Sequence, residues 1–587
     1  MKALMINQRI LFHALVFLSL HGRLVGQVEV YSYPDTLVYS QSLGKNIRSP
    51  LYEVKVIQGE DTLRSYVLAD QNTFPDAQKA LMTDWHHSTT FSFSGSVGVE
   101  IIRLDGKPVG KAEVYPLAFN IPFSIDGAKM RLKLDRPRKL YVEMEGLDKQ
   151  PLFIFADPRE EDPPGPLDPD VLLIRPGMSA SEVRAAILTT EKPIIYFDKG
   201  IHQYGPETGI SYAGYKIPLL GNRTYYIPGG AYVMATFYGE NASNTTVRGR
   251  GIISLCGKER LGSSVEGSFD YHALFFNTGG AGQRIEGITI CNVPHYCILS
   301  RGTLDCTNVK LFGWWHQTDG FGGNQGSVIS DAFIKVNDDY VKLYRNNNRA
   351  ENLVVYKQIN GAVLQLGWNA YGACSNCSAE NIYVVKDALK TPGPTSNTAV
   401  VNLVNNGGSS IQNVSIRNLY IDNDVQRTLG IKANGGSVTN LSVSNVRHRG
   451  NNLASNYLIA PQESLIDGVK LENIFSGDTC VENNRSFNLT IEGNVSGVLF
   501  QCGTLVQTAE PLPDSFSVES RRGQIVLRNF KLGEGAMASI YDLNGRLLAE
   551  RPVLGGETQI PVGNFRGIML VQVRFRQSQW TKKIVIP

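Results

Sequence analysis

The sequence predicts an all-β chain: an N-terminal β-sandwich, a long parallel β-helix and a short strand-rich tail. Three observations carry this prediction. Short Val/Ile/Tyr/Phe runs alternate with polar residues, helix-period patterns are scarce, and 58 glycines punctuate the 587 residues. Through the middle of the chain, similar segments recur at intervals of 20 to 32 residues, a solenoid period. The length exceeds one ordinary core, and the net charge of +3 is spread without basic blocks, so nothing points to nucleic acid.

Residues 1–27 combine Lys2 and Arg9 with an apolar run at 10–20 and Gly26 near the end, the pattern of a signal peptide. His13 and His21 keep the run too short for a membrane span. No later run has that length, so export without membrane insertion of the mature chain is expected. Residues 28–158 read as a β-sandwich, with strand candidates at 28–33, 51–58, 89–93, 98–104, 130–134 and 139–145 separated by turns such as Asp105-Gly106. The acidic, Pro-rich segment 159–167 reads as a linker.

After one helical candidate at 179–188, the β-helix is expected over 168–506, with first coils at 225–233 and 247–253. Its repeat kernel is Asn or Gly before alternating apolar residues, as in Gly287-Ile288, Asn308-Val309, Asn352-Leu353, Asn381-Ile382, Asn413-Val414 and Asn440-Leu441. Leucine-rich repeats of similar period need an LxxLxL pattern that does not recur here. Asn at such turns tolerates left-handed backbone and can stack from coil to coil. Neighbouring repeats carry no obvious long insertion near Asp338, which suggests an open groove. A second Pro-rich junction at 510–513 precedes the tail, 514–587.

The eight cysteines suit an oxidising compartment. Cys374-Ser-Asn-Cys377 has no second CxxC and no His at ligand spacing, so disulfide or inert thiols are expected rather than zinc. Cys480 with Cys502 is the candidate late bridge.

The densest chemistry lies in residues 314–344. Asp319, Asp338 and Asp339 end two successive apolar segments, among Trp314, Trp315, His316, Tyr340, Lys342 and Tyr344. Cleaving a glycosidic bond takes one carboxylic acid to protonate the departing oxygen and one carboxylate to attack or to activate water. Crowded carboxylates cannot all ionise easily, so one should stay protonated near neutral pH. If Val341 and Leu343 point inward, alternation places Asp338, Tyr340, Lys342 and Tyr344 on the outer face. Asp339 then joins them only through a backbone bend. The next coil brings Gln365 and Trp368 to that face. Of the adjacent indoles, one should pack inward and the other, Trp315, reach a sugar.

These residues resemble glycoside hydrolase family 49, the dextranases and isopullulanases. The resemblance rests on a TDG-type Asp319 followed nineteen residues later by an Asp-Asp pair, on DDxxKxY from Asp338 to Tyr344, and on QxGW as Gln365-Leu366-Gly367-Trp368. It extends to a Tyr-Tyr-Ile-Pro-Gly-Gly-Ala-Tyr-Val opening at 225–233. It implies an N-terminal β-sandwich before a right-handed β-helix, and an α-glucan substrate. It further implies Asp338 as general acid, Asp319 and Asp339 as general base, and inversion with carboxyls ~6.5–9.5 Å apart. Neither metal nor cofactor is implied. Trp315, His316, Tyr340, Lys342, Tyr344, Gln365 and Trp368 are the expected substrate contacts. Family 28, the polygalacturonases, shares the fold but uses Gly-His-Gly and Arg-Ile-Lys motifs; here the region reads Asn360-Gly361-Ala362-Val363, favouring a neutral glucan.

The tail, with Asp542-Leu543-Asn544-Gly545-Arg546 and a Lys582-Lys583-Ile584-Val585-Ile586 end, resembles the C-terminal sorting domain of type IX secretion, a small β-sandwich. That implies the secretion machinery as a partner and a secreted or cell-surface location. Three other readings stand beside the glucanase: a polygalacturonase-like hydrolase, a non-catalytic polysaccharide-binding β-helix, and a lyase.

Overall fold

The computed structural model describes residues 28–38, 44–72, 82–204, 216–256, 272–368, 374–388, 397–404, 407–503, 516–521, 524–529, 536–542, 546–553, 556–562, 567–575 and 578–586. Residues 1–27, which the sequence reads as a signal peptide, the Pro-rich residues 510–513 and residues 543–545 lie outside them. The chain divides into two units, 1–502 and 503–587.

The first unit begins with two sheets. One runs Val28–Val30, Trp85–Phe93, Leu152–Pro158, Arg138–Met144, Ala112–Tyr115; the other Phe123–Asp126, Lys129–Leu134, Val97–Arg103, Tyr52–Gln58, Asp61–Ser65. Alternation builds their shared core: Met130, Leu132 and Leu134 point inward from one strand while Arg131 and Lys133 face solvent. Leu152–Pro158 does not alternate and escapes a period-two reading, because it is buried on both faces. Leu152, Ile154 and Ala156 enter the sheets' core, while Phe153 and Phe155 pack with Phe312, Phe333 and Tyr356 of the solenoid. Beside these rings, the Lys310 ammonium is paired with Asp157 in full burial. Segment 159–167 is not a free spacer: Tyr226 donates to Glu160 at 2.9 Å and Arg248 to the Glu161 carbonyl at 2.5 Å.

The solenoid is a parallel β-helix. Its long parallel ladders run from Val171–Ile174 to Leu499–Gln501 and, on the face that bears the site, from Lys216–Leu219 to Leu489–Gly493. The helix Ala180–Thr189 begins at a Ser179 capping box with Glu182 and packs Val183 and Ile187 against the first coils. Asn turns recur with positive φ, including Asn308, Asn352, Asn381, Asn418, Asn445 and Asn473, and their side chains form a ladder. Asn381 donates to Asn352 at 2.9 Å, Asn418 to Asn381 at 3.0 Å and Asn445 to Asn418 at 3.2 Å.

The ladder corrects the repeat register. Asn413 and Asn440 belong to a second ladder, stacked on Asn376, so the coil after Asn381 spans 37 residues, not 32. Both ladders use the same Asn-plus-apolar kernel, which is why they merge in one dimension. Asn397, within this longer coil, bonds Asp338 and Asp339, so the expectation that neighbouring repeats carry no insertion near Asp338 does not hold. Cys480 and Cys502 form a disulfide at the end of the solenoid. Cys374 and Cys377 are buried, with sulfurs 2.9 Å apart.

The second unit holds two antiparallel sheets, Phe516–Arg521, Gln524–Asn529, Gly556–Pro561 and Leu547–Val553, Ala536–Asp542, Gly567–Phe575, Ser578–Ile586. Ile525, Leu527, Ile540, Ile560 and Val571 share its core. Among the described residues, no helix is long and apolar enough to cross a membrane.

Candidate functional site

Consecutive coils bring the carboxylates together. Asp319 opens the strand Asp319–Gly322, which pairs with Val341–Lys342, which pairs in turn with Leu364–Gln365. Phe321, Val341 and Leu364 stack into the core, while Lys342, Gln365 and Asn402 form the outward row. Gly320 is required where it stands, since a side chain there would run into the Tyr340 carbonyl.

Between Val336 and Val341 the backbone bends instead of forming a strand. This bend turns Asp339 into the cleft and Tyr340 into the core. The expectation that Tyr340 faces substrate is therefore wrong. Its ring is fully buried and its hydroxyl donates to the Val336 carbonyl at 2.6 Å and accepts from Gln358 N at 2.5 Å. Period-two alternation fails because residues 337–340 are not extended. Gly361, at φ +78°, supports the bend: a side chain there would collide with the Asp338 backbone.

Lys342 is the hub. Its ammonium lies 3.0 Å from Asp319 Oδ1 and 3.5 Å from Asp339 Oδ2, and donates to the Tyr296 hydroxyl at 2.7 Å. Asp339 also accepts from the Tyr344 hydroxyl at 3.1 Å, Ala362 N at 3.3 Å, Gln365 Nε2 at 3.3 Å and Asn397 Nδ2 at 2.8 Å. Asn397 reaches Asp338 Oδ1 as well, at 3.3 Å. Asn402 donates to Gln365 and Asn397 at 2.9 and 3.2 Å, completing an amide chain behind the carboxylates.

Of the expected contacts, the structure gathers Lys342, Tyr344 and Gln365 around the aspartates. Trp315 is half-buried, His316 is exposed, and Trp368 is 37% exposed. Trp314 is the inward-packing indole, with Met82 and Ile359. Tyr296, Asn397 and Asn402 were missed. Tyr296 stands directly across from Asp319 in the preceding coil, a neighbour the register could have revealed. Asn397 follows the inserted segment, and no periodic signal marks it.

Electrostatics separate the three acids. Burial, then the charges of Asp319 and Asp339, hold the Asp338 carboxyl well above the usual range. Burial pushes Asp319 up to about 6, with Lys342 opposing and Asp339 reinforcing the rise. Burial pulls the Lys342 ammonium down, but Asp319 and its neighbours outweigh that and keep it protonated. Asp338 keeps some solvent exposure where Asp319 and Asp339 are buried, yet its carboxyl is raised further than that of Asp319. One oxygen from each carboxylate lies within 4.8 Å of the others. The cation that already serves this cluster is Lys342.

Fold and site together define a parallel β-helix with a three-aspartate centre on its outward sheet. No family model matches the chain. It is similar to a dextranase of Arthrobacter globiformis, 24% identical over 437 residues that cover 60% of this chain and 66% of the relative. An isopullulanase of Aspergillus niger is 22% identical over 355 residues, covering 54% of this chain and 60% of that protein. The chain thus spans just under two thirds of the length of these curated relatives. Among solved structures, Dex49A from Penicillium minioluteum shares the fold, with a TM-score of 0.65 and 18% identity over 81% of this chain and 98% of that one.

Proposed function

We propose that this chain is a glycoside hydrolase that cleaves an α-glucan of the dextran or pullulan type. The observation that carries the reading is the cluster itself: Asp338, its carboxyl pushed well above the usual range by burial and by the neighbouring Asp319 and Asp339, stands beside two carboxylates that both pair with the Lys342 ammonium. Asp338 would give its proton to the glycosidic oxygen as the C1–O bond breaks. A water activated by Asp319 and Asp339 would add its oxygen to C1, its proton passing to a carboxylate. The dextranase and isopullulanase relatives support an α-glucan, as does Asn360-Gly361-Ala362-Val363, which lacks the His of pectin-cleaving sites. Trp315, His316 and Trp368 offer apolar and polar faces for sugar rings.

Inversion is the reading that the family resemblance supports. The anomer of the first product, read by NMR, tests it: a retained anomer overturns inversion. Residues 1–27 support export, and the tail motifs support type IX sorting to the cell exterior. The test of the main reading is incubation with dextran, pullulan and polygalacturonate, sizing products from wild type and Asp338→Asn. Release of new reducing ends from an α-glucan by wild type alone is expected. Equal activity of the variant, or cleavage confined to polygalacturonate, overturns it.

A further inference from the structure

A buried chain of hydrogen bonds runs from the N-terminal sheets to the backbone that carries Asp338. Asp70, on the strand Val67–Gln71, accepts from Trp314 Nε1 at 3.1 Å. His86 pairs with Asp70 across the sheet, has Nε2 3.6 Å from the same carboxylate oxygen, and stacks on the Trp314 ring at 4.7 Å between centroids. Trp314 also lies against the Lys335 ammonium, 3.8 Å from the ring centroid. The indole is thus fixed in plane, tilt and rotation.

From Trp314 the chain continues to the acid. Asn337 Nδ2 donates to the Trp314 carbonyl at 2.9 Å, Asn360 N donates to Asn337 Oδ1 at 3.2 Å, and Asn360 Nδ2 donates to the His316 carbonyl at 2.8 Å. Asn337 immediately precedes Asp338, and Asn360 immediately precedes Gly361, against which the Asp338 backbone rests. These bonds encircle the bend that decides where Asp338 points. Asp70 and Trp314 are each only 3% exposed, so neither is placed to touch a glycan.

We infer that Asp70 is a positioning residue for Asp338, acting through Trp314 and Asn337. The N-terminal sheets are then a structural part of the acid's setting, not a detachable glycan-binding module. The inference rests on the reading of Asp338 as general acid. The physical cause is that loss of the Asp70 acceptor strands a buried indole N–H. The indole then repacks, and the shift passes through the Trp314 main chain to the carbonyl that anchors Asn337.

The test compares Asp70→Ala and Asp70→Asn in the full chain. Two quantities are read: kcat and KM on dextran per folded molecule, and the titration of the Asp338 carboxyl followed by carbon-13 NMR, which needs no turnover. Asp70→Ala is expected to lower kcat ~10- to 100-fold with KM little changed, as a small displacement of an acid does. Its Asp338 titration should move down towards the ordinary carboxylate range as water enters. Asp70→Asn keeps an oxygen that can accept the indole N–H and should stay near wild type in both. The inference falls if Asp70→Ala leaves the Asp338 titration unmoved, or if Asp70→Asn drops as far as Asp70→Ala. Should Asp70→Ala not fold, Trp314→Phe, which keeps a stacking ring and loses the N–H, carries the same two readouts and the same expectations. Failure of the glucanase reading shows separately, as wild type that releases no sugar while its Asp338 titration still differs from that of Asp70→Ala.

Discussion

Lys342 Nζ lies 3.0 Å from Asp319 Oδ1, joining the last residue of the Val341–Lys342 strand to the first residue of the strand stacked before it. The contact opposes the effect of burial on the Asp319 carboxylate. Asp319 is pushed up to about 6 even with this ammonium lowering it. Lys342→Met should therefore raise Asp319 further, and the acid limb of the pH–rate profile should move up by ~1–3 units. Profiles of kcat/KM from about pH 4 to 9 check this. An unmoved acid limb would remove Asp319 from the base role.

The raised carboxyls also make a stability prediction. A carboxyl whose folded-state pKa is raised favours folding most when protonated. For Asp319 that stability is fully present below 3.8 and is lost as pH rises through about 6. Asp338 acts in the same direction. Asp338→Asn, which cannot ionise, should melt above wild type at neutral pH, with the gap closing in acid. Its hydrolysis should fall by ~10²–10⁴-fold. Thermal melts at acid and neutral pH check the first expectation, and initial rates the second.

Two nearby tyrosines should respond oppositely. Tyr340→Phe strands the buried Gln358 N–H that its hydroxyl accepts, costing ~1–3 kcal/mol of stability and leaving kcat of the folded protein almost unchanged. Tyr344→Phe removes a donor to Asp339 Oδ2 and should lower kcat with a smaller loss of stability. Denaturant unfolding measured beside steady-state kinetics separates the two.

Gly361 and Gly326 give a matched pair at φ +78° and +74°. Ala at either position meets similar left-handed strain, ~1–2 kcal/mol. At Gly361 it also collides with the Asp338 backbone, whereas at Gly326 the nearest atom is Thr303 Cγ2 at 3.8 Å. Gly361→Ala should abolish hydrolysis, and Gly326→Ala should keep it at reduced Tm. Equal activity in the two variants would show that the Asp338 bend tolerates displacement.

Much of the architecture is local in origin and was legible for that reason. A strand with one wet face, such as Lys129–Leu134, records its burial as alternation. A solenoid turn needing positive φ records itself as Asn, as at Asn352 and Asn381. Leu152–Pro158, covered on both faces, carries no such record, and two ladders written in the same residues could not be told apart without their stacking partners.

Sequence by itself determined the β-helix, its Asn turns, and the set Asp319, Asp338, Asp339, Lys342, Tyr344 and Gln365, because repeating coils convert spacing along the chain into adjacency in space. Only the tertiary structure decided which way each side chain points. Asp339 and Tyr340 exchange faces at a bend permitted by Gly361 in the next coil, and Asn397 arrives from a non-repeating segment to bond Asp338 and Asp339. Asp70 meets Trp314 across 244 residues of chain. These are contacts between segments whose separation follows no period, so no pattern within one segment encodes them.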